Sequence, residues 1–221
     1  MKKFLPIIAG VLIVVVIIIG FVIKGKNKSP ANTLNEDNSN VPMLSEAEWP
    51  AISLTPTDNP GVSGSMGHWL DFKVEKINVP GAASMDYLLV YSTSDGGQQG
   101  VPGSIKLTGT DVEKKFLLGS ESSGKFRYDA GVEQGTITIT FRDQKGKMLG
   151  KLSDDFRLQT GVTELSSIDG VFKYTLDKAA KGVYFVTMKT YLEPTVTSVV
   201  WQNGYGVFAS DGKAHTGAVS P

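Results

Sequence analysis

The sequence predicts an all-β domain that follows a single membrane-spanning helix near the N-terminus. Three observations lead to this prediction. Residues 4–23 form an uncharged, almost wholly apolar run of twenty residues. After Trp49 the chain changes to short runs that alternate polar and apolar residues, separated by Gly, Asp, Asn and Pro. No stretch after the apolar run keeps the period of an amphipathic helix, so strands are the expected regular structure.

The apolar run from Phe4 to Ile23 has the length and the flanking charges of a membrane anchor. At about 1.5 Å per residue, a helix of this length crosses the roughly 30 Å hydrocarbon core of a bilayer. A cleaved secretory signal has a shorter apolar core with a small-residue cleavage site close behind it. The only such site here is Ser29-Pro30-Ala31, which lies beyond three lysines. We therefore expect an uncleaved anchor in residues 1–24, with the lipid bilayer as a partner through residues 4–23.

Positive charges at the two ends of the anchor are nearly balanced, so the positive-inside rule does not decide its orientation. The short N-terminal tail and the large downstream region resemble a bacterial signal anchor. This resemblance implies a single-pass cell-membrane protein whose C-terminal domain lies outside the cytoplasm. The chain has no cysteine, which excludes a lipid-modified cysteine anchor, disulfides and thiol chemistry.

Residues 25–48 are predicted to be a flexible linker, because Asn, Ser, Pro and charged residues dominate and large apolar residues are few. Residues 49–221 are long enough for one large β domain or two small ones, with a possible split near residue 160. Five of the 22 basic residues lie at or before Lys28 and all 22 acidic residues lie after it, so the later part has a net charge of about −5. This mild acidity argues against nucleic acid as a partner.

Strand candidates follow one another closely along the second part of the chain. They are residues 69–79, 85–91, 104–107, 115–118, 136–141, 171–176, 183–192, 195–201 and 205–209. The run 85–91 is almost continuously apolar, which predicts a central strand buried on both faces. Strict alternation predicts that Ile137, Ile139 and Phe141 face the core. Asn203-Gly204 predicts a tight hairpin, because both residues accept positive φ.

The segment around Tyr184 resembles the corner between strands E and F of immunoglobulin-like β-sandwiches. Leu176 lies eight residues before Tyr184, Gly182 two before it and Val186 two after it. In that fold a tyrosine near the start of strand F bonds through its hydroxyl to the corner backbone. The resemblance implies that Leu176 ends strand E, that Tyr184 is the corner tyrosine and that Val186 takes a core position. The implied fold class is an all-β, immunoglobulin-like β-sandwich, one large or two small.

A second resemblance involves the runs GVPGSIKL at 100–107 and LLGSESSGKFRYDAGV at 117–132, with residues 135–143 after them. These runs resemble uncharacterised membrane-anchored β-rich envelope proteins of ultra-small bacteria. The resemblance implies a bacterial cell-envelope protein and nothing more, because that group has no assigned activity.

No catalytic or metal-binding motif stands out. His68 and His215 are far apart in the chain, and neither has the sequence context of a Ser-His-Asp device or a zinc site. Asp154-Asp155, or Asp129 with Glu133, offer oxygen ligands for calcium but match no EF-hand loop. We therefore predict no enzyme activity, no catalytic residue, no metal ligand and no cofactor. We also expect no deep cleft that collects two or more acidic side chains.

The connection from Ser92 to Gly103 is predicted to be a long exposed loop, which is where binding function commonly resides. Its candidate binding residues are Ser94, Asp95, Gln98 and Gln99. The aromatic residues Trp69, Tyr91, Trp201 and Tyr205 offer either a sugar-stacking platform or ordinary strand packing.

The function that the sequence favours is binding, adhesion or envelope assembly by a membrane-anchored, extracytoplasmic β-sandwich, without catalysis. The expected partner is an unknown envelope protein or a glycan. The alternative is a membrane-tethered envelope hydrolase or carbohydrate-processing protein, which two facing carboxylates in one cleft would favour. An accessory subunit of a secretion or pilus-like machine is a third hypothesis.

Overall fold

Within residues 41–220 the strands form four antiparallel sheets, and two of the smaller sheets pack on opposite faces of the largest. The computed structural model describes residues 41–220. Within them the predicted all-β class is confirmed, because the regular structure is one 3₁₀ turn (Glu46–Glu48) and fifteen strands. The strands are β1 (Ala51–Thr57), β2 (Trp69–Glu75), β3 (Ser84–Ser92), β4 (Gln98–Lys106), β5 (Val112–Leu117), β6 (Gly119–Ser122), β7 (Lys125–Tyr128), β8 (Gln134–Arg142), β9 (Met148–Thr160), β10 (Glu164–Ser166), β11 (Lys173–Leu176), β12 (Tyr184–Lys189), β13 (Val200–Gln202), β14 (Tyr205–Ala209) and β15 (Gly217–Ser220).

The large sheet has seven strands in the order β13-β14-β12-β9-β8-β3-β4. Strands β1-β2-β5 form a second sheet, β10-β11-β15 a third, and β6-β7 a two-stranded hairpin. The strand pairs in these sheets are antiparallel. The large sheet contains strands from both sides of residue 160.

Two hydrophobic cores lie on opposite faces of the large sheet. The first lies against β1-β2-β5 and contains large, nearly inaccessible side chains: Phe72, Phe116, Phe141, Phe156 and Phe208. The second lies against β10-β11-β15 and contains Leu165, Phe172, Tyr174, Leu176, Phe185, Tyr205 and Val207. Phe185 belongs to the second core and Val186 to the first, because neighbouring side chains of a strand point to opposite faces. The β12-β14 end of the large sheet is therefore the middle of three layers.

Strand β3 is buried on one face only. Met85, Tyr87, Leu89 and Tyr91 are buried, whereas Leu88 is 36% exposed. The prediction that this strand is buried on both faces is therefore wrong. The third layer covers β12 and β14, and it does not reach β3.

The tight hairpin predicted at Asn203-Gly204 is confirmed. Gln202 of β13 pairs directly with Tyr205 of β14, so the two residues between them form the whole turn. Their φ angles are 54° and 75°. Positive φ at both central positions is what a two-residue type I′ turn requires.

The predicted loop from Ser92 to Gly103 is mostly strand, so the prediction is wrong about its extent. β4 already begins at Gln98, which leaves residues 93–97 as the turn. β4 is an edge strand of the large sheet. It contains Pro102, which has no backbone N–H to donate.

Residues 42–44, which the sequence assigns to the linker, lie along the start of β9. The Leu44 N–H donates to the Lys151 carbonyl at 2.9 Å, and the Leu44 side chain is buried in the first core. The predicted anchor, residues 1–24, lies outside the described residues, as do linker residues 25–40. Within residues 41–220 no helix has the length and apolar character needed to cross a membrane.

Candidate functional site

A cleft opens at one end of the domain, where the start of β2, the β7-β8 connection, the end of β9 and the start of β12 meet. We call it the first cleft. Its volume is about 540 Å³, which falls in the roughly 300–1,000 Å³ range of ligand pockets. The strand register brings its residues together, because Gln134 pairs with Arg157 and Thr160 pairs with Tyr184.

The ring of Tyr184 forms one wall of the first cleft. It packs so closely on Gly67 that a Cβ at that position would lie 2.5 Å from two ring carbons. The Tyr184 N–H donates to the Ser210 hydroxyl at 3.0 Å, which fixes the start of β12. Within residues 41–220 the Tyr184 hydroxyl makes no hydrogen bond, so the expected bond to the corner backbone is absent there. The hydroxyl is available to a ligand.

His68 lies at the mouth of β2 and lines the same cleft. Its ring stacks on Tyr128, with 4.5 Å between centroids and 10° between planes. Burial lowers the pKa of His68, and the charge of nearby Asp129 only partly opposes this shift. The ring is therefore neutral at neutral pH. None of the described residues pairs His68 with a serine or a carboxylate.

The first cleft collects two acidic side chains, Asp129 and Glu133, so the expectation that no such cleft exists is wrong. Both lie on or beside the β7-β8 connection. One Asp129 oxygen, Oδ2, accepts a hydrogen bond from the Tyr91 hydroxyl at 2.8 Å. Arg157, also in the cleft, donates through Nη1 to Ser166 at 2.9 Å. A cation and two carboxylates thus line one cleft.

Several polar groups in the first cleft have no protein partner within residues 41–220. They are the His68 ring nitrogens, Asp129 Oδ1, the Glu133 carboxylate, the Gln134 amide, most of the Arg157 guanidinium and the Tyr184 hydroxyl. Gln159 differs, because its amide donates to the Glu164 carbonyl and accepts from the Ser166 N–H. The lining therefore offers unused donors and unused acceptors around an aromatic ring.

A second cleft of about 390 Å³ adjoins the first. Of the predicted binding residues, Ser94, Asp95 and Gln99 line it, whereas Gln98 lies outside it at the exposed start of β4. A hydrogen bond from the Thr93 hydroxyl and another from the Gly97 N–H lower the pKa of Asp95. Asp95 therefore holds the β3-β4 turn in shape.

A third, smaller cavity of about 150 Å³ lies where β12 separates from β9. Asp154 lines it and is 3% exposed, and its Oδ2 has no hydrogen-bond partner in the described part of the chain. Burial raises the pKa of Asp154 to about 7, although Lys189 opposes this. Asp154 is thus a buried carboxyl that holds its proton up to neutral pH.

Asp169, across the same cavity, is a carboxylate held by many donors. Ser167 and Tyr205 donate their hydroxyls at 2.5 and 2.6 Å, and the Lys189 ammonium lies 3.2 Å away. Burial acts to raise the pKa of Asp169, but these hydrogen bonds outweigh it and hold the pKa well below its usual range. Two carboxyls with opposite pKa shifts therefore share one cavity.

The predicted corner residues lie in different layers. Leu176 ends β11 and is buried in the second core, whereas Val186 is fully buried in the first. Gly182, just before β12, has a φ of 76°. Leu176 therefore lies in the third sheet, and Tyr184 and Val186 lie on β12 of the large sheet.

The four aromatic residues proposed for a sugar platform take part in packing. Tyr91 and Tyr205 are buried, Trp69 meets Phe126 edge-on, and the Trp201 indole donates to the Thr190 carbonyl. The rings that do line the two clefts are His68, Tyr128 and Tyr184. Sequence reasoning missed Arg127, Gln134 and Arg157 as site residues, because no local motif marks them.

Residues 41–220 contain no group of three or more His, Asp or Glu side chains placed to hold a metal ion. This holds for both acidic pairs considered from the sequence. No protein-family model matches the chain, and no curated protein matches it at a significant level. The geometry of the clefts is therefore the evidence that bears on function.

Proposed function

We propose that this protein is a non-enzymatic, saccharide-binding protein of the bacterial cell envelope, held at the membrane by residues 4–23. The observation behind the proposal is the set of unused donors and acceptors around the Tyr184 ring in the first cleft. Each sugar hydroxyl both donates and accepts a hydrogen bond, so a sugar satisfies a mixed lining of this kind. The C–H face of a sugar ring also packs well on an aromatic side chain.

The charges of the first cleft support an uncharged ligand. Asp129 and Glu133 accompany Arg157 in the lining, so a polyanion meets two carboxylates for one guanidinium. Nucleic acid and phosphate-rich polymers need a cluster of basic residues instead. A neutral, hydroxyl-rich ligand pairs with both signs of charge at once.

The finer fold assignment, an immunoglobulin-like sandwich, belongs to the same proposal. It is supported by Leu176 at the end of β11 and Tyr184 at the start of β12, which lie in different sheets. Strands E and F of that fold also lie in different sheets. The extracytoplasmic location and the envelope family rest on the sequence of the anchor and on the resemblance of residues 100–143.

Titration of the full-length protein in detergent micelles with glucose and N-acetylglucosamine oligomers tests the binding function. Glu133→Gln replaces one carboxylate oxygen, an acceptor, by an NH₂ group, and Gln134→Ala removes a whole amide; neither side chain has a protein partner within residues 41–220. Loss of one hydrogen bond costs about 0.5–1.5 kcal/mol, so we expect roughly two- to tenfold weaker binding. The matched control is Glu46→Gln. Glu46 is an exposed acidic residue at the start of the 3₁₀ turn, and we expect this variant to bind with unchanged affinity. Absence of sugar binding, or equal binding by all variants, contradicts the proposal.

A second candidate function is hydrolysis of a saccharide at the third cavity. The observation that favours it is the pair Asp154 and Asp169, whose pKa values move in opposite directions, as those of an acid and its partner carboxylate do in glycosidases. The test is the release of reducing ends from the same oligomers. This candidate requires turnover by the wild-type protein and its loss in Asp154→Asn. Binding without turnover leaves the first function in place.

A further inference from the structure

The two clefts share a wall, and this common wall bears on the size of the ligand. Asp129 lines both clefts. Its Oδ2 is held by the Tyr91 hydroxyl at 2.8 Å, and its N–H donates to the Leu118 carbonyl at 3.0 Å. Asp129 therefore has a fixed position, and its Oδ1 has no hydrogen-bond partner within residues 41–220. The stacked rings of His68 and Tyr128 continue this wall, one ring in each cleft.

We infer that the two clefts form one continuous groove for a linear, uncharged oligosaccharide, which crosses the wall at Asp129. This inference rests on the saccharide-binding function proposed above. It adds that the ligand is a chain of several sugars, and that the β6-β7 hairpin and the β3-β4 turn bind the part of it that extends beyond the first cleft.

The second cleft has the same kind of lining as the first. Arg127 is exposed and has no ion pair or hydrogen bond through its side chain within residues 41–220, and the same is true of the Ser94 hydroxyl and the Gln99 amide. The Tyr128 hydroxyl is buried without a hydrogen-bond partner in this part of the chain. That oxygen has almost no accessible surface, so the unpaired groups that a ligand meets in the second cleft are those of Arg127, Ser94 and Gln99. A sugar chain leaving the first cleft therefore meets further unused donors and acceptors.

The β3-β4 turn and the β7-β8 connection are in direct contact where the two clefts adjoin. The Ser94 N–H donates to the Ala130 carbonyl at 2.9 Å. A Cβ added at Gly131 would lie 2.5 Å from the Ser94 Cβ, so no gap separates the two segments there. This contact joins the lining of the second cleft to that of the first, which suits a chain better than two separate small ligands.

The charges along the groove favour an uncharged chain. The first cleft contains Arg157 with Asp129 and Glu133, and the second contains Arg127 with Asp95 and the shared Asp129. Carboxylates outnumber guanidinium groups in each cleft. A polyanionic chain would meet like charge in both clefts, which opposes its binding.

The test compares N-acetylglucosamine and glucose oligomers of increasing length, titrated into the full-length protein in detergent micelles. We expect affinity to rise about tenfold or more from dimer to hexamer, because the longer chain adds contacts in the second cleft. Arg127→Ala should weaken hexamer binding roughly three- to tenfold and leave dimer binding, which uses the first cleft, unchanged. Lys125→Ala is the matched control, because Lys125 lies on the same strand, is exposed and is outside both clefts.

The outcomes test saccharide binding and the continuous groove separately. Equal affinity for dimer and hexamer, or no effect of Arg127→Ala, overturns the groove and leaves saccharide binding in place. Absence of binding at every length overturns both. Tighter binding of galacturonate oligomers than of the neutral series overturns the assignment of an uncharged chain.

Discussion

Tyr184 and Val186 lie on the same face of β12 but contribute differently to stability. The Tyr184 hydroxyl has no hydrogen-bond partner within residues 41–220, so Tyr184→Phe should change the free energy of unfolding by less than about 0.5 kcal/mol. Val186 is fully buried in the first core, so Val186→Ala should cost about 1–3 kcal/mol through the cavity it leaves. Urea denaturation of the full-length protein measures both. If Tyr184→Phe lost as much stability as Val186→Ala, the Tyr184 hydroxyl would have to make the corner hydrogen bond after all.

Asp154 should make the stability of the protein depend on pH. Its pKa is about 7 in the folded protein and about 3.9 in an unfolded chain. Because the folded value is the higher one, the stabilising contribution of its proton is complete below about pH 4 and is lost as pH rises through about 7. We expect a loss on the order of 2–4 kcal/mol between these limits.

The variant Asp154→Asn isolates this effect, because an amide does not titrate. Urea denaturation across pH 4 to 8, as a rough range, should show a smaller slope of stability against pH in this variant. Asp155→Asn is the matched control, because Asp155 is the exposed neighbour on β9 and its carboxylate accepts from Thr136. An unchanged slope in Asp154→Asn would assign the pH dependence to other groups.

Single residues differ in how far the sequence predicts them. Alternation correctly predicts that Ile137, Ile139 and Phe141 face the core, and all three are buried. The residues of the first cleft are different, because His68, Asp129, Arg157 and Tyr184 come from separate segments. Only the antiparallel register brings these segments together. No pattern within one segment carries that information.

At the level of elements, β9 shows why a strand can be missed. It is the longest strand within residues 41–220, with 13 residues, yet the sequence pattern indicates only its first two residues, Met148 and Leu149, after the turn at 143–146. Leu152, Phe156 and Leu158 alternate as buried residues, but Asp154 takes the inward position between them. A carboxylate in an inward position breaks the apolar alternation by which strands are recognised. The inward position of Asp154 is therefore the reason why most of β9 is missed in the sequence.

The β6-β7 hairpin carries Arg127 and Tyr128, so its shape should control binding of long sugar chains. A Cβ at Gly119 would lie 2.2 Å from the Arg127 carbonyl oxygen. Gly119→Ala must therefore displace β7, and we expect about 1–3 kcal/mol of destabilisation and weaker hexamer binding with unchanged dimer binding. Sugar titration and urea denaturation measure these effects.

Gly124→Ala is the control for this prediction. Gly124 lies in the turn of the same hairpin with a φ of 76°, and an added Cβ would meet no atom within 4 Å. It should cost on the order of 1 kcal/mol through backbone strain alone, without any change in sugar binding. Equal hexamer affinity in the Gly119→Ala and Gly124→Ala variants would show that the β6-β7 hairpin does not contact the sugar chain.

At the scale of the whole molecule, the number of layers was not evident from the sequence. A continuous apolar run predicts burial on both faces, but residues 85–91 carry a half-exposed outer face. β12 and β14 are the doubly buried strands, because β10-β11-β15 covers them. The all-β class follows from local patterns, whereas the choice of which strand is covered depends on where distant segments pack.

The anchor prediction also concerns the whole molecule. If residues 4–23 span the bilayer uncleaved, the full-length protein should stay in the membrane pellet after a carbonate wash, with its N-terminal residues intact. This follows from the length and apolar character of the run. Mass spectrometry of the pellet is the measurement. A soluble form that begins at Asn32 would show cleavage after Ala31 and a secreted protein.

If residues 4–23 hold the protein in a membrane, Pro102 in β4 has a consequence for molecules that are crowded on that surface. Molecules tethered to one plane meet repeatedly, and an open edge strand of nine residues is a template on which another chain can add a strand and start an aggregate. A proline in that edge removes one of the N–H groups that such pairing needs, and Gly100 and Gly103 beside it weaken the strand further. The edge therefore helps neighbouring copies to remain separate at high local density.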